Sequence, residues 1–397
     1  MNFNLRSKIP YLFRLVNQIN KNEIEFYIFC SCLFLLPSAF FLSIILLLIS
    51  NTLTTIKFRG NFFKDRFNII FLFSTIILLI SALFQTIFLN KNIQLNYDIS
   101  QSWIGLFNWI PFFWCFWCFK QYLKTDKRRK LCGILLLTGS FPVILTGLGQ
   151  SFFNWDGPIQ TLNGLIIWYQ RPIDGITGLT GLFNNPNYAG AWLNFTWPIC
   201  LACVIERQEN IFKKLSIYFF VFGISLTTIL TNSRAAWIGI LIGGILIYGK
   251  KSLKILIVTF STISLLTFIF YLQIGGENIM QFLEAILPQD TLEEFTNFQY
   301  SRIDIWKSAL NTIISNPIFG TGASSFSHIY NLNTGVWKGH AHNLPLELMV
   351  SYGIPAGLLI VLPIDLLIPT QCWDRIMRDA LFQQSLHCLY LVLIQFV

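Results

Sequence analysis

Apolar residues run through this chain in long blocks parted by short polar segments. The blocks lie at about 26–50, 68–89, 102–119, 131–150, 187–205, 214–231, 235–249, 252–272 and 344–368, with a weaker one at 383–397. A helix that crosses a bilayer needs about 20 mostly apolar residues. The pattern therefore predicts an all-α, polytopic membrane helix bundle of about 9–11 spans, in one membrane domain covering 1–397. Two large polar loops, 151–186 and 273–343, interrupt it, and no internal repeat or low-complexity linker is visible. Block 26–50 holds Leu36-Pro37-Ser38 near its middle. A proline there breaks a helix, and 25 residues are too few for two full spans, so the block reads as a re-entrant hairpin.

Composition agrees with the pattern. Only 12% of residues are charged, against roughly a quarter in a soluble domain. The net charge of +9 would suggest nucleic acid in a soluble protein, but here the basic residues sort by loop. Loops 51–67, 120–130, 206–214, 249–254 and 369–380 hold eighteen Lys and Arg. Loops 90–101, 151–186, 231–234 and 273–343 are longer in total and hold six. By the positive-inside rule the first set is cytoplasmic and 273–343 extracytoplasmic, and no nucleic-acid partner is expected. The N-terminal arm is also basic, so either block 26–50 is a hairpin, the preferred reading, or the N-terminus lies outside against the rule; Met1 to Lys21 does not read as a cleavable signal peptide. Among nine cysteines, Cys115/Cys118 and Cys200/Cys203 have C-x-x-C spacing. That spacing suits redox or metal chemistry, but on a helix it also shares one face, where free Cys packs as a small hydrophobe. The packing reading is preferred.

Candidate chemistry concentrates on the outer side. Three arginines lie there: Arg171, Arg234 and Arg302. Arg234 and Arg302 each follow a serine and open a predicted helix, with Ser233 and Ser301 as N-caps and Asp304 completing a capping box with Ser301. The helix over 302–315 has an apolar stripe at Trp306, Leu310 and Ile313, and it stops before Asn316-Pro317. A cation at a helix N-terminus is unfavourable by roughly 0.3–1 kcal/mol unless an anion sits there. Helix amides plus an arginine form a phosphate site, and two of them suit a pyrophosphate. The alternative is that each arginine snorkels or pairs with Asp304, Asp174 or a glutamate. His340 and His342 precede block 344–368, with Asn343 as its N-cap and Pro345 and Glu347 in its first turn. These histidines are loop residues beside a helix cap, a general base, or, with no third ligand of clear spacing, a weak zinc pair. The outer loops hold no D-x-D or E-x-D cluster for magnesium, Glu293-Glu294 reading as a solvated face, and no Walker motif occurs, so no metal or other cofactor is expected.

Six motifs taken together resemble the O-antigen ligase and O-antigen polymerase family of bacterial envelope enzymes, over roughly 130–360. They are Gly181-Leu-Phe-Asn-Asn-Pro-Asn187, Thr231-Asn-Ser-Arg-Ala-Ala-Trp237, Ser301-Arg-Ile-Asp-Ile-Trp306, Asn316-Pro-Ile-Phe-Gly-Thr-Gly322, His340-Ala-His-Asn343 and Gly353-Ile-Pro-Ala-Gly357. The resemblance implies a GT-C-like glycosyltransferase, metal-independent and inverting, in the bacterial inner membrane with its active site on the periplasmic side. Its partners would be an undecaprenyl-pyrophosphate-linked glycan, an acceptor glycan or glycolipid, and the bilayer. By the same resemblance Arg234 and Arg302, joined by Arg171, hold the pyrophosphate. His342 and His340 activate the acceptor hydroxyl, with Ser233, Ser301, Asn187, Asn343 and Glu347 in support. The family continues with further spans after Gly357. Here 369–397 makes a poor span, an atypical end that truncation would explain and that would impair activity. The rival class is a lipid-linked oligosaccharide flippase or other transporter. It would place ionisable groups inside the spans near the midplane, whereas these spans are nearly charge-free apart from Asp365 and Glu347.

Overall fold

The computed structural model describes residues 23–89, 97–173, 178–205, 210–248 and 302–367, with isolated positions between 254 and 265. In chain order the helices are α1 (Ile24–Leu35), α2 (Phe40–Phe58), α3 (Arg66–Phe84), α4 (Ile110–Tyr122), α5 (Asp126–Gly139) and α6 (Phe141–Phe153). A small antiparallel hairpin, β1 (Ile159–Thr161) and β2 (Ile166–Trp168), then pairs Gln160 with Ile167. There follow α7 (Pro186–Ile205), α8 (Ile211–Leu230), α9 (Arg234–Tyr248), α10 (Arg302–Ser315), α11 (Ser325–Thr334), α12 (Leu344–Tyr352) and α13 (Ile354–Leu367). Among the described residues the protein is all-α apart from that hairpin, which sits in the predicted loop 151–186. Among the described residues six helical stretches are long and apolar enough to cross a bilayer: Phe40–Lys64, Arg66–Phe88, Ser100–Tyr122, Asp126–Phe153, Pro186–Ile205 and Ile211–Leu230. This is a multi-pass membrane protein. Most of predicted span 252–272, the weaker 383–397 and the tail 369–397 lie outside the described residues.

The chain divides into two compact units. The first comprises residues up to Arg59, Cys118–Pro172 and Leu179–Thr231. Its α1 and α2 form the hairpin that Pro37 predicts, with corrected dimensions. The second arm does not stop near 50 but continues through Phe58 into a 3-10 turn ending at Lys64. By length and composition it could cross a bilayer, whereas α1 is shorter. Small hydroxyls knit the arms. Ser43 Oγ donates to Cys32 O at 3.0 Å, and Ser50 Oγ donates to Glu25 O at 2.7 Å. Tyr122 OH lies 2.6 Å from Ser50 Oγ and accepts from Thr54 Oγ1 at 2.8 Å. Gly139 completes the packing, since a Cβ there would stand 2.3 Å from Phe34 O. Of the C-x-x-C pairs, Cys115, Cys118 and Cys200 are buried and Cys203 is half-buried, and none of these four is in a disulfide.

The second unit comprises Gly60–Trp117, Ile173–Gly178 and Asn232 onward. One core gathers Phe71, Leu78, Phe113, Leu348, Tyr352 and Ala356, with Phe71 and Phe113 stacked at 4.8 Å. A second core gathers Ile305, Ala309, Ile313, Phe326, Tyr330, Ala341 and Val350. It corrects the predicted stripe of α10. Trp306 and Leu310 are 36% and 47% exposed, and the packed row is Ile305–Ala309–Ile313, spaced i, i+4, i+8.

The predicted single span 344–368 is also corrected. Gly353 breaks it between α12 and α13, with φ +89° and ψ 167°. A Cβ on Gly353 would stand 2.0 Å from Ile318 O, and one on Gly320 would stand 2.6 Å from Val350 O. The two segments bond through their backbones: Ile354 N–H to Pro317 O at 2.8 Å, Thr321 N–H to Val350 O at 2.8 Å and Gly322 N–H to Ser351 O at 3.0 Å. The glycine motifs at 316–322 and 353–357 thus lock to one another, where no side chain could fit between them.

Candidate functional site

The His340-Ala-His-Asn343 segment forms a tight turn into α12. Asn343 caps that helix as predicted, accepting from Leu346 N–H at 3.1 Å, with proline in the first turn. His342 takes φ +50°, a left-handed conformation that is strained for a side-chain-bearing residue. The turn is held at its middle. Ala341 is fully buried in the core that also packs Ile305, Ala309 and Ile313 of α10, and its N–H donates to Glu347 Oε2 at 2.8 Å. Glu347 thus acts on the backbone between the two histidines. Burial raises the pKa of its carboxyl, partly opposed by the Ala341 bond. The two imidazoles are brought together, with ring centroids 4.2 Å apart. Both residues expose much of their surface, yet the protein around His340 displaces enough water to lower its pKa below the usual imidazole value.

The arginines divide. Arg234 is the first residue of α9, as expected, and is half-buried; Ser233 before it is buried, and its carbonyl accepts from Trp237 N–H at 3.1 Å. Arg302 opens α10 and is exposed. Its predicted cap Ser301, and Asp174, lie outside the described residues. Asp304 lies 4.0 Å from Lys307 on the same helix. Arg234, Arg302 and the histidine turn all belong to the second unit; Arg171 belongs to the first. Arg171 is held by its backbone: its N–H donates to Thr180 Oγ1 at 3.1 Å and its carbonyl accepts from Gln150 Nε2. Gln150 Oε1 also accepts from Thr180 and Gly181 N–H at 2.9 and 3.0 Å. Asn187 is exposed in the first turn of α7, and its N–H donates to the side chain of Asn185, just before Pro186.

Three buried or half-buried polar side chains escape the sequence reading. Gln150 organises the approach to the 181–187 motif. Gln85, fully buried, donates to Phe319 O at 2.5 Å and Ser351 O at 2.8 Å, joining the two glycine segments from the end of α3. Tyr97 OH donates to Ala323 O at 2.7 Å. An amide inside an otherwise apolar block was the available signal for Gln150 and Gln85, because a buried amide demands partners. Nothing local marks Tyr97.

Comparison with known proteins agrees with the motifs. Residues 219–361, which include Arg234, Arg302 and the histidine turn, match the O-antigen ligase family. The chain is 26% identical over 189 residues to the ComP-specific O-oligosaccharyltransferase of Acinetobacter baylyi, covering 46% of this chain and 33% of that protein. It is 27% identical over 172 residues to a Rickettsia conorii protein named as a polysaccharide ligase, covering 40% of each. The chain thus spans about a third of one of these curated relatives and two-fifths of the other.

Proposed function

We propose that this protein transfers a glycan from a polyprenyl-pyrophosphate carrier to a hydroxyl of an acceptor on the extracytoplasmic face of the membrane. The observation that carries this reading is the His340–His342 turn, clamped through Ala341 to Glu347 and packed on the core of the helix that Arg302 opens. In the proposed reaction the acceptor oxygen attacks the anomeric carbon while the bond from that carbon to the pyrophosphate oxygen breaks. The proton goes to a histidine, and the pyrophosphate leaves on its lipid. A single displacement inverts the anomeric centre. Arg302 and Arg234, each at a helix start, stabilise the charge developing on the leaving group. His342 is the general base, a role typically worth 10²–10⁴-fold, and His340 beside it tunes its surroundings. No metal enters this scheme.

The test is transfer by the protein in liposomes carrying its lipid-linked donor. His342→Ala should slow transfer by about 10²–10⁴-fold while donor binding persists. A chelator should have no effect. Full activity in His342→Ala, or chelator inhibition reversed by zinc or magnesium, would overturn the scheme.

A further inference from the structure

The β1–β2 hairpin leaves an apolar tip exposed. From Gly157 to Gln170 the sequence has no charged residue, whereas a solvated surface is ordinarily rich in Lys, Glu and Asp. Ile159, Leu162 and Leu165 are all exposed, Leu162 to 69%. Asn163 and Gly164 make the turn at φ +55° and +86°, as residues suited to left-handed backbone. Leu162 beside them also takes φ +50°, which a bulky side chain rarely adopts. Leu165 N–H donates to Leu162 O at 3.1 Å and closes the tip. A leucine held out in a strained turn gains nothing from water.

The base of the hairpin is fixed where helices of the first unit end. Trp168 Nε1 donates to Ser38 O at 2.8 Å, in the turn between α1 and α2. Tyr169 N–H donates to Leu182 O at 3.1 Å, and Gly157 N–H to Gln170 O at 2.8 Å. The chain enters from α6, whose last residues Phe152 and Phe153 are exposed, and α2 starts with Phe40 and Phe41, also exposed. These residues end the stretch Asp126–Phe153 and open the stretch Phe40–Lys64, each long and apolar enough to cross a bilayer. Trp155 and Tyr169 are exposed at the base, and such aromatics gather at membrane–water interfaces. The apolar tip thus continues the lipid-facing ends of two spans, away from the basic ends of α2 and α5. Its depth is bounded. The outer edges of a two-stranded hairpin have no ladder partner, which closes the hydrocarbon core to it, and such a hairpin alone is marginal in water. The headgroup and upper acyl layer, about 5–10 Å deep for interfacial elements, suits both constraints.

We infer that the β1–β2 hairpin is an interfacial membrane anchor, its Leu162–Leu165 tip embedded in the phospholipid leaflet at that end of the first unit. The inference is independent of the transferase reading. The test uses the full chain, in a background free of reactive thiols, with a single cysteine at 162 or 165. Each is labelled with nitrobenzoxadiazole and the protein is reconstituted in phosphatidylethanolamine and phosphatidylglycerol vesicles. Leu48, exposed on α2 about 12 Å along the helix from Phe40, is the deep reference. Thr334, exposed at the end of α11, is the aqueous reference. Lipid with a nitroxide near the top of its acyl chain should quench 162 and 165 at least about two-fold more than 334, and a nitroxide near the chain end should quench 48 most. Iodide in the buffer should quench 334 at least about two-fold more than 162. Iodide quenching at 162 equal to that at 334 would put the tip in water and overturn the anchor. Shielding of 162 from iodide and from both nitroxides would mean that protein, a second copy or another chain, covers the tip, and overturns it too. A label at Ile159 reads the cause. In a folded Leu162→Asp/Leu165→Asp background it should lose lipid quenching and become open to iodide; unchanged lipid quenching there would mean that the tip leucines do not hold the hairpin, against the inference.

Discussion

Glu347 accepts the backbone N–H of Ala341 at 2.8 Å, so one carboxylate fixes the peptide that separates two histidines. Two consequences are measurable. Glu347→Gln keeps an acceptor oxygen and should retain transfer within a few-fold, whereas Glu347→Ala frees the turn and should lose more than about ten-fold. The charge also has a sign. Burial raises this carboxyl's pKa in the folded protein, so its contribution to stability is present below the unfolded value of about 4.5 and is lost as pH rises through the folded value. Thermal unfolding in detergent should therefore show Glu347→Gln gaining on the wild type between pH 4 and pH 8. A difference that does not change with pH would argue that the carboxylate is well solvated.

The backbone lock between 316–322 and 353–357 leaves no room for a methyl group. Gly353→Ala would place Cβ against Ile318 O at φ +89°, with strain and clash together expected to exceed ~2 kcal/mol. Gly339→Ala, with open space around it, should be silent. Yield of folded protein by size-exclusion chromatography distinguishes them; equal yields would mean that the lock yields to small movements.

Arg302→Lys retains the charge but loses the bidentate fork that suits a pyrophosphate. Transfer should fall roughly 10²-fold, the usual effect of removing one charge-stabilising donor, with normal membrane insertion. Full activity in both Arg234→Ala and Arg302→Ala would reject the anion site.

Sidedness follows from the basic loops. Thr125 and Thr334 are both exposed, at the start of α5 and the end of α11. Cysteines placed there in a background free of reactive thiols should label from outside at 334 and not at 125. The reverse pattern would put the histidine turn in the cytoplasm and defeat the proposed mechanism.

The sequence alone determined the features that depend on a few neighbouring residues. The apolar blocks marked the membrane class. Pro37 marked the hairpin, and Asn343 and the arginines at 234 and 302 marked helix starts. Hydrophobic run length and capping are local chemistry, and they survive whatever the rest of the chain does. It misjudged the span at 344–368 and the packed face of α10, because each depends on what approaches from elsewhere. Gly353 breaks its helix to meet Ile318 O, Gln85 pairs with carbonyls more than two hundred residues away, and Glu347 serves the N–H of an alanine. In all three the partner is a main-chain group. Main-chain groups are the same in every residue, so no pattern of side chains could name them, and only the tertiary structure decided which ones meet.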